Sequence, residues 1–150
     1  MTGGKGSDFS AQALCEICHT IHPDGPWISP EDFLQASQSG QWVVVDVRPD
    51  RARAVSVIAG ALGRDAFKSR AASLAGRPVM VYCTAGCQSA TVVQDLRKSG
   101  IDARNLRGGV LGWALAGGGF VTPAGDPTRA VCLSGFPSKV LPAGYEATCE

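Results

Sequence analysis

The sequence predicts a single α/β domain with a central parallel sheet, helices on both faces and an irregular C-terminal tail. Continuous apolar runs at residues 42–47 and 78–82 are typical of buried parallel strands. Helical patterns separate these runs from each other and from a third short strand at 103–106. Beyond about residue 117, glycine and proline become frequent and regular periodicity is lost.

The individual elements follow from local signals. Ser29 is a helix cap before Pro30 and two acidic residues, so a helix is predicted from there to Gly40. Around the strands we expect a helix at 50–57, a turn into a short strand at 58–62, a helix at 65–75 before Gly76, and a helix at 89–98 before Gly100.

The chain of 150 residues is long enough for one ordinary domain with a real core. Residues 1 to about 26 have little periodicity beyond a short helical pattern at 9–17, and we predict a flexible or irregular N-terminal segment over 1–28. The folded domain is expected at 29–116, and residues 117–150 are expected to be an extension packed on it. The apolar residues expected to make that packing are Phe120, Val131, Leu133, Phe136 and Val140.

Composition argues against several classes of function. The 14 basic and 13 acidic residues give a net charge of +1, and no basic run favours nucleic acid or a membrane surface as a partner. No stretch approaches the roughly 18 apolar residues of a membrane span. Residues 1–7 lack the apolar region of a signal peptide. We therefore expect a cytoplasmic protein, or a periplasmic one if a leader was removed.

The candidate catalytic residue is Cys83, which directly follows the apolar run 79–82. Five residues, including Gly86, separate it from a helical pattern that starts near Ser89. The thiol is thus expected at the carboxyl end of a strand and beside a helix N-terminus, where backbone N–H groups favour the nucleophilic thiolate. The alternative is an inert buried cysteine, which is the commoner fate of free cysteines.

Four motifs occur in a fixed order between residues 29 and 116. They are Val43-Val44-Val45-Asp46-Val47-Arg48, Ile58-Ala59-Gly60-Ala61, Tyr82-Cys83-Thr84-Ala85-Gly86-Cys87-Gln88-Ser89-Ala90 and Leu106-Arg107-Gly108-Gly109-Val110-Leu111-Gly112-Trp113. Together they resemble the rhodanese-like sulfurtransferase family. The resemblance implies a rhodanese-like fold and transfer of sulfane sulfur from thiosulfate or a persulfide donor to a thiol or cyanide, through a Cys83 persulfide.

The resemblance also implies which residues hold the substrate. The loop after Cys83 would cradle the anionic sulfur with its N–H groups, and its candidate binding residues are Thr84, Ala85, Gly86, Cys87, Gln88 and Ser89. The loop from Cys83 to Gln88 has six residues, which matches the loop length of the sulfurtransferases and is one residue shorter than in related phosphatases and arsenate reductases. Asp46 and Arg48 are interpreted as supporting residues. The expected partners are a small sulfur donor and a thiol acceptor, including a protein acceptor.

Two loop residues depart from the family pattern. Gln88 replaces the usual arginine and offers neutral hydrogen bonds, which favours a donor less charged than thiosulfate. Cys87 is either a tolerated small residue or a resolving thiol that attacks the Cys83 persulfide, releases hydrogen sulfide and leaves a Cys83–Cys87 disulfide. The alternative function is a non-catalytic rhodanese-like module that binds a partner or senses sulfur or redox state.

A second cysteine cluster, Cys15-Glu16-Ile17-Cys18-His19, lies near the N-terminus. It fits the c-type haem attachment pattern, and the candidate zinc ligands are Cys15, Cys18, His19 and His22. The segment is short for a cytochrome domain, and so close a ligand set rarely encloses one ion, so we predict no metal and no cofactor. A redox pair that reduces the Cys83 persulfide is the functional alternative. Cys132 and Cys149 are candidates for a disulfide in an oxidising compartment.

Overall fold

The computed structural model describes residues 11–21 and 25–150. The helices are α1 (Ala11–Ile21), α2 (Pro30–Ala36), α3 (Asp50–Val55), α4 (Arg64–Arg70), α5 (Cys87–Lys98) and α6 (Gly109–Leu115). The strands are β1 (Trp27–Ile28), β2 (Val43–Asp46), β3 (Leu62–Gly63), β4 (Val79–Tyr82), β5 (Ala103–Leu106), β6 (Phe120–Val121), β7 (Pro127–Thr128), β8 (Ala130–Cys132) and β9 (Glu146–Thr148). Within the described ranges, no helix is both long and apolar enough to span a bilayer.

The central sheet has five parallel strands in the order β1-β5-β4-β2-β3. Strands β2 and β4 lie inside the sheet, and every residue of both is buried, as their continuous apolar sequences predict. The α/β class and the parallel sheet are therefore confirmed.

Side chains of the inner strands alternate between two apolar clusters, one on each face of the sheet. On one face, Val45 and Val81 pack with Phe67 of α4 and Val93 of α5. The other face carries residues from the sheet, from helices α1, α2 and α6 and from the tail, and its buried members include Val44, Met80, Cys18, Phe33, Val110 and Leu133. Helices thus cover both faces of the sheet, as predicted.

Element boundaries differ from the predictions by a few residues. The Ser29 side chain accepts a hydrogen bond from the Asp32 N–H at 3.1 Å, so the predicted cap starts α2. Helix α4 ends at Arg70, and turns replace the helix predicted to reach residue 75. Helix α5 begins at Cys87, two residues earlier than predicted. The earlier start places the second loop cysteine in the first turn of this helix.

The N-terminal segment contradicts the expectation of irregular structure up to residue 28. Residues 11–21 form helix α1, and β1 adds an edge strand to the central sheet. Cys15 and Cys18 lie one turn apart on the buried side of α1, which packs against α6. Tertiary burial stabilises this short helix, because an isolated helix of this length is marginal in water.

The C-terminal tail contains two small two-stranded sheets, β6 with β7 and β8 with β9. Cys132 of β8 and Cys149 form a disulfide with their Cα atoms 5.0 Å apart, so this candidate pairing is present. Val131 and Leu133 are fully buried in the same apolar cluster as Met80 of the central sheet. The tail therefore contributes to the main core.

Candidate active site

Cys83 lies at the carboxyl edge of the central sheet, immediately after β4. The chain then turns through Gly86, whose φ of 109° lies in the left-handed region that favours glycine. A Cβ atom there would also lie 3.5 Å from the Trp27 ring and from the Gly108 backbone nitrogen. This turn aims the start of α5 back toward the Cys83 sulfur.

Three hydrogen-bond donors point at the Cys83 sulfur. The Gly86 N–H donates to Sγ at 3.1 Å, and the Ser89 N–H donates at 3.4 Å. The Ser89 hydroxyl lies 3.2 Å from the same sulfur atom. Donors at the N-terminus of a helix stabilise negative charge on the atom they surround. Two N–H groups of the predicted cradle are thus directed at the candidate nucleophile.

Asn105 of β5 connects the two ends of this cradle. It is 1% exposed, and its Nδ2 donates to the Gly86 carbonyl at 2.9 Å. The Ser89 hydroxyl donates to Asn105 Oδ1 at 2.6 Å. Because a hydroxyl carries one proton, its donations to Asn105 and to the Cys83 sulfur are alternatives. Sequence reasoning missed Asn105, although an amide in a buried strand requires partners.

The glycines before α6 bring that helix against the catalytic loop. Gly108 and Gly109 have φ values of 76° and 55°. The N–H of Val110 donates to the Cys83 carbonyl at 2.9 Å, and the N–H of Leu111 donates to the Thr84 carbonyl at 3.1 Å. A Cβ at Gly109 would collide with the Cys83 carbonyl oxygen, so this close approach requires glycine.

Cys83 is one of the residues that line a cleft of about 390 Å³, although it is only 2% exposed. The cleft is lined by Cys18, Pro49, Arg51, Cys83, Thr84, Ala85, Cys87, Gln88, Ser134 and Phe136. Of these described residues, Arg51 alone carries a formal charge. Four of the candidate binding residues thus line the cleft, and the other two, Gly86 and Ser89, donate to the sulfur. Their roles in binding substrate remain predictions.

Comparison with known proteins identifies the family. A family model described as a rhodanese-like domain matches residues 29–116, which is more than half of the chain. The chain belongs to the rhodanese-like family. No curated protein matches it.

Solved structures share the rhodanese-like fold. A rhodanese-related protein from Thermoplasma volcanium is 22% identical, with a TM-score of 0.55 over 64% of this chain and 97% of that one. A rhodanese-like domain protein from Staphylococcus aureus is 29% identical, with a TM-score of 0.50 over 59% of this chain and 90% of that one. A thiosulfate sulfurtransferase from Pseudomonas aeruginosa is 25% identical, with a TM-score of 0.58 over 79% of this chain but only 24% of that one.

The loop after Cys83 shares its cleft with segments that sequence reasoning did not connect with it. Arg51 comes from α3, and Ser134 and Phe136 come from the tail. The Thr84 hydroxyl donates to Ser134 Oγ at 3.1 Å, which ties the tail to the catalytic loop. Ser134 has a φ of 52°, an uncommon conformation for a residue other than glycine. No local sequence signal predicts these contacts.

Asp46 and Arg48 form a buried ion pair away from the cleft lining. Arg48 Nη2 lies 2.7 Å from Asp46 Oδ2, and both side chains are fully buried. The Tyr82 hydroxyl donates to the same carboxylate at 2.6 Å and accepts the Ile58 N–H. Burial, together with the Asp46 charge, raises the pKa of Tyr82 above its usual value. The pair supports the end of β2 and the end of β4, beside Cys83.

Cys87 forms a disulfide with Cys18 of α1, with Cα atoms 5.0 Å apart. A Cys83–Cys87 disulfide, which the resolving-thiol interpretation of Cys87 would produce, is not the bond in this structure, because Cys87 is bonded to Cys18 and Cys83 is free. Because Cys18 is disulfide-bonded, this candidate zinc ligand is not a free thiolate. The ring of His19, another candidate ligand, packs against Trp27. His22 lies outside the described residues. Among residues 11–21 and 25–150, no three acidic, histidine or cysteine side chains are grouped to hold a metal ion.

Cys15 is a free thiol of a different kind from Cys83. It is buried, and its Sγ lies 3.8 Å from the Gly108 carbonyl oxygen. Burial, with a smaller contribution from the Glu16 charge, raises the pKa of Cys15 to about 11. It therefore stays protonated at neutral pH. The hypothesis of a Cys15–Cys18 redox pair is wrong for this state, because Cys18 is bonded to Cys87.

These environments predict selective alkylation. In the native, unreduced protein at neutral pH, iodoacetamide is expected to modify Cys83 at least about tenfold faster than Cys15, because Cys83 lines the cleft, whereas Cys15 lies outside the cleft lining and its raised pKa keeps it protonated. Peptide mass spectrometry measures both rates, and the denatured protein is the control in which both cysteines should react. Equal labelling of the two cysteines in the native protein would contradict the prediction.

Proposed function

We propose that this protein is a sulfurtransferase in which Cys83 carries sulfane sulfur as a persulfide. The observation that carries the proposal is that Cys83 lines the cleft and that donors from Gly86 and Ser89 are directed at its sulfur. Such donors stabilise the anion both before sulfur is accepted and after it has left. The family and the partial likeness to a solved thiosulfate sulfurtransferase support this choice.

The reaction has two half-reactions. In the first, the Cys83 thiolate attacks the sulfane sulfur of the donor, and the donor's sulfur–sulfur bond breaks. Sulfite leaves if the donor is thiosulfate, and a thiolate leaves if the donor is a persulfide. In the second, a thiolate or cyanide attacks the outer sulfur of the Cys83 persulfide, and Cys83 leaves as a thiolate. No cofactor takes part in either step.

Arg51 supplies the positive charge that Gln88 does not. It lies on α3 and lines the cleft, whereas Gln88 lines the same cleft from the start of α5. Thiosulfate is a dianion and benefits from a nearby cation, whereas a persulfide donor carries less charge at its reacting end. The cleft is therefore compatible with both donor classes, and Arg51 is the residue expected to favour thiosulfate over a persulfide donor.

The variant Arg51→Gln is expected to raise KM for thiosulfate by about tenfold, or about 1.4 kcal/mol, and to change KM for glutathione persulfide much less. Steady-state kinetics with the two donors measure this selectivity. Arg70→Gln, at an exposed arginine outside the cleft lining, is the matched control and should leave both KM values unchanged. An equal change with both donors would show that Arg51 does not select the donor by charge.

The proposal is tested by the mass of the protein after exposure to each donor. Incubation with thiosulfate or glutathione persulfide should add one sulfur atom to the peptide that contains Cys83, and cyanide should remove it as thiocyanate. With thiosulfate, sulfite should appear in equal amount. Absence of a Cys83 persulfide with both donors would overturn the proposal.

A second candidate is the non-catalytic sensing module. The Cys18–Cys87 disulfide at the edge of the cleft favours it, because oxidation or reduction of this pair would change the surface that a partner contacts there. The same mass measurement separates the two functions. In a sensor without transfer activity, the Cys18–Cys87 disulfide would form or be reduced, but sulfur added to Cys83 would not be passed to an acceptor.

A further inference from the structure

The Cys18–Cys87 disulfide lies at the cleft that Cys83 also lines. Cys18 and Cys87 both line that cleft, together with Cys83. Cys18 is 7% exposed on α1, whereas Cys87 is half-buried in the first turn of α5. Three cysteine residues from two helices and one loop thus border the same space, and two of them are bonded to each other.

We propose that Cys18 and Cys87, in their reduced form, are an internal acceptor that takes sulfur from Cys83 and releases it as sulfide. The disulfide of the structure is then the product of this step. The inference rests on the proposed function, because it requires a Cys83 persulfide. It assigns the acceptor that the family resemblance leaves open.

The chemistry proceeds in two displacements. First, the Cys87 thiolate attacks the outer sulfur of the Cys83 persulfide; a new sulfur–sulfur bond forms on Cys87, and Cys83 leaves as a thiolate. Second, the Cys18 thiolate attacks Sγ of the Cys87 persulfide; the Cys18–Cys87 bond forms, and hydrosulfide leaves. The sulfane sulfur gains two electrons, and the two thiols lose two electrons in becoming a disulfide.

The geometry favours Cys87 as the first acceptor and Cys18 as the resolving residue. Cys87 follows Cys83 by four residues in the same loop, and the N-terminus of α5 stabilises a thiolate there. The Cα atoms of Cys18 and Cys87 are 5.0 Å apart, within the usual range for a disulfide. Transfer of the outer sulfur leaves the Cys83 sulfur among its donors, whereas a direct Cys83–Cys87 bond would draw it away from them.

Regeneration requires an external dithiol. Its first thiolate attacks Cys87, the more accessible partner, and its second thiol completes the exchange, leaving Cys18 and Cys87 reduced and the external dithiol oxidised. The second substrate is therefore a dithiol reductant, either a small molecule or a protein. Repeated sulfide release should depend on it, while the first release should not.

The test is a single turnover of the full chain under anaerobic conditions. Protein is reduced, freed of reductant and mixed with glutathione persulfide in less than equimolar amount. The wild type is expected to release sulfide in proportion to the persulfide and to form the Cys18–Cys87 disulfide, identified by differential alkylation and peptide mass spectrometry. Once Cys83 is loaded, the first-order rate constant of sulfide release should not depend on protein concentration at a fixed ratio of persulfide to protein, because the acceptor is internal.

Matched variants separate the two steps. In Cys87→Ser, the sulfur should stay on Cys83. In Cys18→Ser, it should stay on Cys87 or Cys83. Both variants should release sulfide at least about tenfold more slowly than the wild type. Cys15→Ser, on the same helix as Cys18, should behave as the wild type. Because the readout is the position of one sulfur atom, circular dichroism of each variant suffices to confirm that it is folded.

Two outcomes overturn the inference, and they are distinguishable. A Cys83 persulfide that persists in the reduced wild type, with Cys18 and Cys87 still free, overturns the internal acceptor and leaves the proposed function standing. Absence of any persulfide on Cys83, with no sulfide and no Cys18–Cys87 disulfide, overturns both.

Discussion

Replacing Cys83 with serine is expected to lower kcat/KM for sulfur transfer by at least about 10³-fold, or about 4 kcal/mol of transition-state stabilisation. A serine hydroxyl is almost entirely protonated at neutral pH, and its oxygen cannot carry a persulfide. Serine nevertheless fits the site, because its oxygen can accept the N–H of Gly86 or Ser89 in place of the sulfur. Activity should therefore be lost while the fold remains.

The measurement is thiocyanate formation from thiosulfate and cyanide, repeated with glutathione persulfide as donor. Cys15→Ser is the matched control, because Cys15 is the other free cysteine of the described chain and lies outside the cleft lining. It should keep most of the wild-type activity. If Cys83→Ser retains transfer with either donor, or if Cys15→Ser loses as much activity as Cys83→Ser, another group carries the sulfur.

The position of Cys83 follows from local sequence. The apolar run at 79–82 is continuous, so it predicts a strand that is buried on both faces, and β4 has this environment. Gly86 is the residue that permits the left-handed turn before α5. Periodicity and turn chemistry act over a few residues, and the sequence displays both without reference to the rest of the chain.

The partners of that loop do not follow from local sequence. Cys18 and Cys87 are 69 positions apart in the sequence. The spacing of the cysteines does not determine which of them form a disulfide. The buried side of helix α1 packs mainly against α6 and also contacts α5, so its stability depends on distant elements. Ser134 reaches Thr84 through the path of a tail that has little periodicity. These features depend on tertiary packing, which local patterns do not encode.

Asn105 is an intermediate case. It is buried in β5, next to the exposed Arg104, and a buried amide must find donors and acceptors. The sequence thus indicates that Asn105 needs partners but does not say which ones. The strand order supplies the answer, because β5 lies beside β4 and brings the amide to Gly86 and Ser89.

The largest effect on stability is expected from Asp46→Ala, which should lower the free energy of unfolding by about 3–5 kcal/mol. The change leaves the Arg48 guanidinium buried without its carboxylate and removes the acceptor of the Tyr82 hydroxyl. Arg48 retains the Ser56 carbonyl as an acceptor, but that contact supplies no compensating charge. Ordinary domains are stable by only about 5–15 kcal/mol, so the loss is a large fraction of the total.

Chemical denaturation monitored by tryptophan fluorescence measures the change, with both disulfides kept oxidised so that the reference state is constant. Asp95→Ala, at an exposed aspartate on α5, is the control and should change stability by no more than about 0.5 kcal/mol. The double variant Asp46→Leu with Arg48→Met should recover much of the loss, because it removes both buried charges together. If the double variant is as unstable as Asp46→Ala, the cost does not come from an uncompensated guanidinium, and the ion pair is not what holds the ends of β2 and β4 beside Cys83.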